Sequence, residues 1–124
     1  MQSLPKIPQP LNCALWRGDR LENIHELLET IETYQDDSHD RRCLLRCREC
    51  GQLYFYHFVE FVDYESGEDP QYRTYVPVTS AKDAALLSDM SEVDIATHIP
   101  AIHSDWPKGQ DKPKVFWVGR NNFD

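Results

Sequence analysis

The chain has 124 residues, 21 acidic against 13 basic, for a formal charge of −8, which is enough length for one domain with one core and too little for two. The apolar fraction of 40% and the three Trp, six Tyr and five Phe exclude a disordered chain, and no apolar run approaches the roughly 20 residues of a membrane helix. The acidic excess opposes nucleic acid and anionic membrane and favours basic partners, although a negative surface also serves solubility alone.

Pro5, Pro8 and Pro10 fix φ and remove amide donors, so residues 1–12 read as an extended Pro-rich leader. Nothing in Met1 to Pro10 has the charged-then-apolar layout of a signal peptide, and the expected compartment is the cytoplasm. From Leu21, the apolar positions Leu21, Ile24, Leu27, Leu28, Ile31 and Tyr34 follow helical spacing, with Asp19 as N-cap and Glu22 completing a capping box. This predicts an N-terminal amphipathic helix whose solvated face carries Glu22, Glu26, Glu29 and Glu32.

Residues 41–46 read as a short strand leading into the turn Cys47-Arg48-Glu49-Cys50-Gly51, and residues 52–64 as a longer strand leaving it. Leu53, Phe55, His57, Val59 and Phe61 share one side of the second strand, and Tyr54, Tyr56 and Phe58 the other, so it should be central and covered on both faces. The turn Ser66-Gly67-Glu68-Asp69-Pro70 precedes a return strand over 72–76 that Pro77 ends or places at an edge. Ser80 is positioned to cap a short helix through Leu87, and Ser91 a second that stops before Pro100. Residues 104–113 read as a polar loop and Val115 to Val118 as a last strand. The whole is a single α+β domain over 1–124: an N-terminal amphipathic helix, a small antiparallel sheet with a Cys-turn hairpin, short helices and a C-terminal strand.

Two Cys separated by two residues on a tight turn converge on one tetrahedral ion, and the following Gly lets the chain curl around the sulfurs. Cys47, Cys50 and Gly51 fit this pattern and point to a structural zinc, in preference to plain reduced thiols or a disulfide. They supply half a site. Cys43, in an extended segment, would lie about 13 Å from Cys47 at roughly 3.3 Å per residue, and reads better as a small buried strand residue. Cys13, in a loop before the helix, is favoured as third ligand. His25, His39, His57 or an Asp remain for the fourth, with His39 preferred because it lies in a loop. Residues 46–58, with this C-x-x-C-G turn running into the aromatic strand Leu53-Tyr54-Phe55-Tyr56-His57-Phe58, resemble a zinc-ribbon or rubredoxin-type knuckle of small bacterial proteins. The resemblance implies a metal-stiffened hairpin and lacks the second knuckle such ribbons carry.

Arg41, Arg42, Arg46 and Arg48 beside aromatics are the residue types of a nucleic-acid stripe, but the acids nearby and the net charge favour ion pairing within the fold. His98, His103, Ser104 and Asp105 are catalytic residue types at a spacing that matches no hydrolase motif. No catalytic residue is therefore assigned. The leading expectation is a non-enzymatic acidic binding module, of the immunity or antitoxin kind, that covers the basic active site of a toxin-like protein partner. Its partner-binding residues are expected at Glu60, Asp63, Glu65, Glu68 and Asp69 and among the acids of the first helix, with Tyr64, Tyr72, Trp106 or Trp117 as aromatic anchors. A zinc-ribbon-like nucleic-acid-binding or regulatory protein and a small metal-dependent enzyme are the alternatives.

Overall fold

The computed structural model describes residues 13–18, 20–62, 65, 67 and 69–119. Two short helices, α1 (Ala14–Arg17) and α2 (Ile24–Leu27), flank a 3-10 turn at Leu21–Asn23 and precede strands β1 (Leu28–Asp37), β2 (Asp40–Cys47), β3 (Leu53–Glu60) and β4 (Gln71–Val78). Helices α3 (Ala81–Ser88) and α4 (Glu92–Ala96) lead to β5 (Ala101–Trp106) and β6 (Lys114–Val118). The strands form one antiparallel sheet in chain order, β1 to β6. The α+β class holds, with a larger sheet and shorter helices than the sequence indicates. The Pro-rich leader, the N-cap Asp19, and Asp63, Tyr64 and Glu68 lie outside the described residues.

The helix expected from Leu21 to Tyr34 is helical only through Leu27; Leu28 is already extended, with φ −103° and ψ 136°. The β-branched residues Thr30, Ile31 and Thr33 follow it, and such side chains fit a pleated strand better than a helix. β1 pairs with β2 from Leu28 opposite Cys47 to Asp37 opposite Asp40, with register shifts between Thr30 and Glu32 and between Thr33 and Gln35. Each shift interrupts the two-residue alternation. As a result Leu28 packs on one face of the sheet and Tyr34 on the other, while Ile31 is 45% exposed, and the spacing imitates a helix. Charged Glu29, Glu32, Asp36 and Asp37 then lie along an edge strand, where they discourage pairing with another chain.

β3 is central as expected, between β2 and β4, and its Tyr54 and Phe55 are fully buried on opposite faces. Pro77 does not end β4; it lies opposite Tyr54, beyond the point where pairing with β5 stops at Tyr75, so it interrupts no ladder on that side. β5 corrects the polar loop expected over 104–113, because Ala101, Ile102 and Ser104 are buried and only the part after Trp106 is loop. Ser80 and Ser91 accept hydrogen bonds from the amides of Asp83 and Asp94 and cap α3 and α4 as the sequence indicates.

Two cores result. One face of the sheet presents Cys43, Leu45, Cys47, Tyr54, Tyr75 and Ile102 to α1 and α2. The other presents Leu44, Phe55, Val76 and Val78 to α3 and α4.

Candidate metal centre

The β2–β3 connection is a tight knuckle. The amide of Gly51 donates to the Cys47 carbonyl at 2.9 Å, the amide of Cys47 to the Gln52 carbonyl at 2.8 Å, and Gly51 takes φ +81°, a conformation in which a side chain would be strained. The amide of Arg48 donates to the Leu27 carbonyl at 2.7 Å and fixes the end of α2 to this knuckle. Cys13 immediately precedes α1, whose Gly18 closes it in the left-handed conformation. Trp117 of β6 donates its indole N–H to the Leu15 carbonyl at 2.6 Å and meets Trp16 edge-on at 4.9 Å. These contacts hold the N-terminal segment against the sheet with Cys13 over the knuckle.

The Sγ atoms of Cys13, Cys47 and Cys50 all lie within 4.8 Å of one another, close enough to hold one metal ion. Cys13 and Cys47 are 1% exposed and their sulfurs are 3.8 Å apart; Cys50 lies at the surface. The phenol of Tyr54, fully buried, is 3.8 Å from the Cys13 sulfur. Burial pushes the Cys13 thiol up, but the Cys50 thiol, the amides of Leu15 and Trp16 and the Tyr54 phenol together bring it below its ordinary value, although neither amide makes a side-chain cap. Burial, with the Cys13 and Cys47 sulfurs, pushes the Cys50 thiol up to about 12. Thiolates this close oppose one another's ionisation. A cation shared by the three sulfurs removes that conflict.

Cys43 is not part of the group. It is buried in β2 with its Sγ 3.7 Å from Thr33 Oγ1, the strand role expected for it. His39 is not brought to the cysteines either. It sits in the β1–β2 turn, at the opposite end of β2 from Cys47, where its Nδ1 meets Glu60 Oε1 at 3.2 Å. His25 and His57 are also outside the group, and among the described residues no fourth Cys, His, Asp or Glu joins it.

A second cluster was not apparent from the sequence, because its members are scattered along the chain. Asp40 Oδ1 accepts from Arg42 Nε at 3.1 Å and from His57 Nε2 at 3.2 Å, and a Glu92 carboxylate oxygen lies within 4.8 Å of the other ligand atoms. Arg42 Nη1 also donates to the carbonyls of Ser88 and Met90, at 2.5 and 2.9 Å. This is a clamp between β2 and the end of α3, with the cation already supplied by arginine. The other arginines of the expected stripe are paired as well: Arg46 and Arg48 with Glu29 at 2.6 and 3.3 Å, and Arg41 with Asp36 at 3.9 Å.

Of the expected partner-binding residues, the described Glu60, Glu65, Asp69 and Tyr72 lie at or beside the β3–β4 connection, at the far end of these strands from the knuckle. Phe61, Val62 and Trp106 are 52%, 38% and 36% exposed, and Tyr72 meets Phe61 edge-on at 5.9 Å. Glu65 is exposed and Asp69 half-buried. Glu60 is engaged internally, accepting from Gln71 Nε2 at 2.9 Å, and Trp117 is committed to Leu15, so neither acts as a free anchor. No helix among the described residues is long and apolar enough to cross a membrane. No family model, curated protein or solved structure matches the chain.

Proposed function

We propose that the chain is a zinc-braced, acidic protein-binding module in which Cys13, Cys47 and Cys50 hold the ion and the opposite end of the sheet meets a basic partner. The convergence of the three sulfurs carries the reading. Zinc bound to thiolates at about 2.3 Å in a tetrahedron places its sulfurs about 3.8 Å apart, and the Cys13 and Cys47 sulfurs have that separation. When bound, the ion joins Cys13 to the Cys47–Cys50 turn, 34 residues further along the chain. Its work is to hold α1 and α2 on the sheet, since helices of four residues do not persist alone. Tyr54 supports the Cys13 sulfur from the outer shell.

The partner is a protein with a basic surface. The net charge of −8 supports this, as does the cluster of exposed Phe61, Val62 and Trp106 beside Glu65 and Asp69: apolar anchors with an acidic rim bind and orient such a surface. An inhibitor of the immunity type, laid over the basic active-site cleft of a toxin that acts on nucleic acid, is the use that fits this chemistry.

Elemental analysis of protein purified without chelator tests the first part. About one zinc per chain is expected, and none in a Cys47→Ser, Cys50→Ser double variant; equal metal content in both would overturn the site. Charge reversal at Glu65, Glu68 and Asp69 tests the second part. Partner affinity that stayed constant, with an unchanged salt dependence, would remove this end of the sheet as the interface.

A further inference from the structure

The two edges of the sheet are built differently. At β1, Glu29, Glu32, Asp36 and Asp37 lie along the strand and two register shifts distort its ladder, the devices by which a sheet edge is closed to further pairing. β6 has neither. It pairs with β5 without a shift, from Val118 opposite Ala101 to Lys114 opposite Asp105, and among the described residues no strand lies on its other side. Its one charge, Lys114, thus faces an acid within its own sheet. A strand paired on one side directs alternate N–H and C=O groups outward, so β6 presents a regular template for another strand.

The side chains of β6 match this. Val115, Phe116, Trp117 and Val118 are all half-buried. Val115 and Trp117 extend the core beneath α1, whereas Phe116, on the opposite face, stacks on His103 at 6.0 Å. Ile99, 45% exposed, lies against Gly119 at the end of the strand. Both faces of this edge are apolar and incompletely covered, and a strand laid alongside would complete their burial. The occupant follows from self-complementarity. Antiparallel pairing of β6 with a second β6, centred on Phe116, sets Phe116 opposite Phe116, Val115 opposite Trp117 and Lys114 opposite Val118. No like charges meet, and the aromatic and β-branched pairs are the favourable cross-strand combinations. A charged partner strand would find no counter-charge from Val115 to Val118, and a head-to-tail contact would require the shifted, acidic edge of β1 to pair.

We propose that two copies of the chain associate through β6, antiparallel about a two-fold axis at Phe116, joining their six-stranded sheets into one. A five-residue edge, about 17 Å long, offers less contact than the roughly 1,200–2,000 Å² of stable interfaces, so the dimer is weak, with a Kd on the order of 100 μM. Each copy carries a charge of −8, and salt strengthens the dimer by screening that repulsion, the reverse of its effect on the docking of a basic partner. The contact uses neither the three sulfurs nor the β3–β4 connection, and it is independent of the function proposed above.

The experiment is sedimentation equilibrium of the full-length chain from about 10 μM to about 1 mM, in low and high salt, with hydrogen exchange measured at both ends of that range. The mass should rise towards that of two chains, more readily in high salt, and the outward amides of residues 114–118 should gain protection only at the higher concentration, while those of β1 do not. Phe116→Lys, which sets two charges face to face at the axis, should weaken the dimer by about tenfold or more. Ile31→Lys, on the other edge and exposed in the wild type, should leave it unchanged, with melting curves confirming that each variant is folded. The exchange pattern of the unaltered chain decides the matter even where Phe116→Lys does not fold. A monomer throughout, outward β6 amides equally protected at both concentrations, association undiminished in folded Phe116→Lys, or growth beyond two copies would each overturn the proposal.

Discussion

The two faces of the sheet are covered by different means. On one, α3 and α4 are capped by Ser80 and Ser91 and bury Ala84, Leu87 and Ile95 completely against Phe55, Val76 and Val78. On the other, α1 and α2 have four residues each and no side-chain caps, and the core beneath them contains three cysteines, two tyrosines and a polar concavity. Aliphatic packing and caps suffice for the first face. The second has only short uncapped helices, and over it three sulfurs converge within 4.8 Å of one another.

That contrast can be broken most forcefully by Phe55→Ala, which removes a fully buried ring beneath α3. It should cost about 3–5 kcal/mol in chemical denaturation and lower the stability of the whole chain. On the proposed zinc site, metal removal would act on the other face. Zinc at about a hundredfold over its Kd would contribute about 2.7 kcal/mol, so a chelator should lower the melting temperature and open the amides of residues 14–27 to hydrogen exchange while those of α3 stay protected. Equal deprotection of both faces would show that they form one cooperative unit.

Arg42→Met sharpens the comparison, since this guanidinium ties the sheet to α3 rather than to the cysteine side. Loss of its hydrogen bonds to Asp40 and to two carbonyls should cost about 2–3 kcal/mol in the same denaturation assay. Ser91→Ala should cost about 1 kcal/mol by removing the α4 cap.

The smallest expected effect is a pH dependence. Burial foremost, and the Arg42 charge, lower the His57 pKa below its ordinary 6.5, against the opposing pull of Asp40. The unfolded chain therefore takes up a proton at His57 more readily than the folded one. The stability this neutral imidazole contributes is complete above the unfolded value and is lost as pH falls below about 6.5 towards the folded value. Denaturation midpoints should fall between about pH 7.5 and about pH 5.5, and less steeply in His57→Gln. His25 and His103, also lowered chiefly by burial, add to the same slope.

Much of this was legible locally. The knuckle, the central strand β3, the Ser caps and the last strand each depend on residues within a few positions of one another, so turn chemistry and alternation reveal them. The choice of Cys13 over Cys43 followed from the reach of an extended chain, and the sulfur positions agree with it. Residues 28–34 of β1 carry helical spacing because two register shifts break the alternation that identifies a strand, and those shifts arise only against β2. The polar residues Ser104 and Asp105 hide β5 in the sequence, a strand that is buried through its neighbours.

By itself the sequence determined the class of the fold, its acidic surface, the cysteine turn and the helix caps, because composition and short-range geometry carry them. The tertiary structure alone decided that Cys13 closes on Cys47 and Cys50 and that His39 stays at the other end of β2. Those relations depend on which strand lies beside which and in what register, and register is fixed by burial of both faces of the sheet at once.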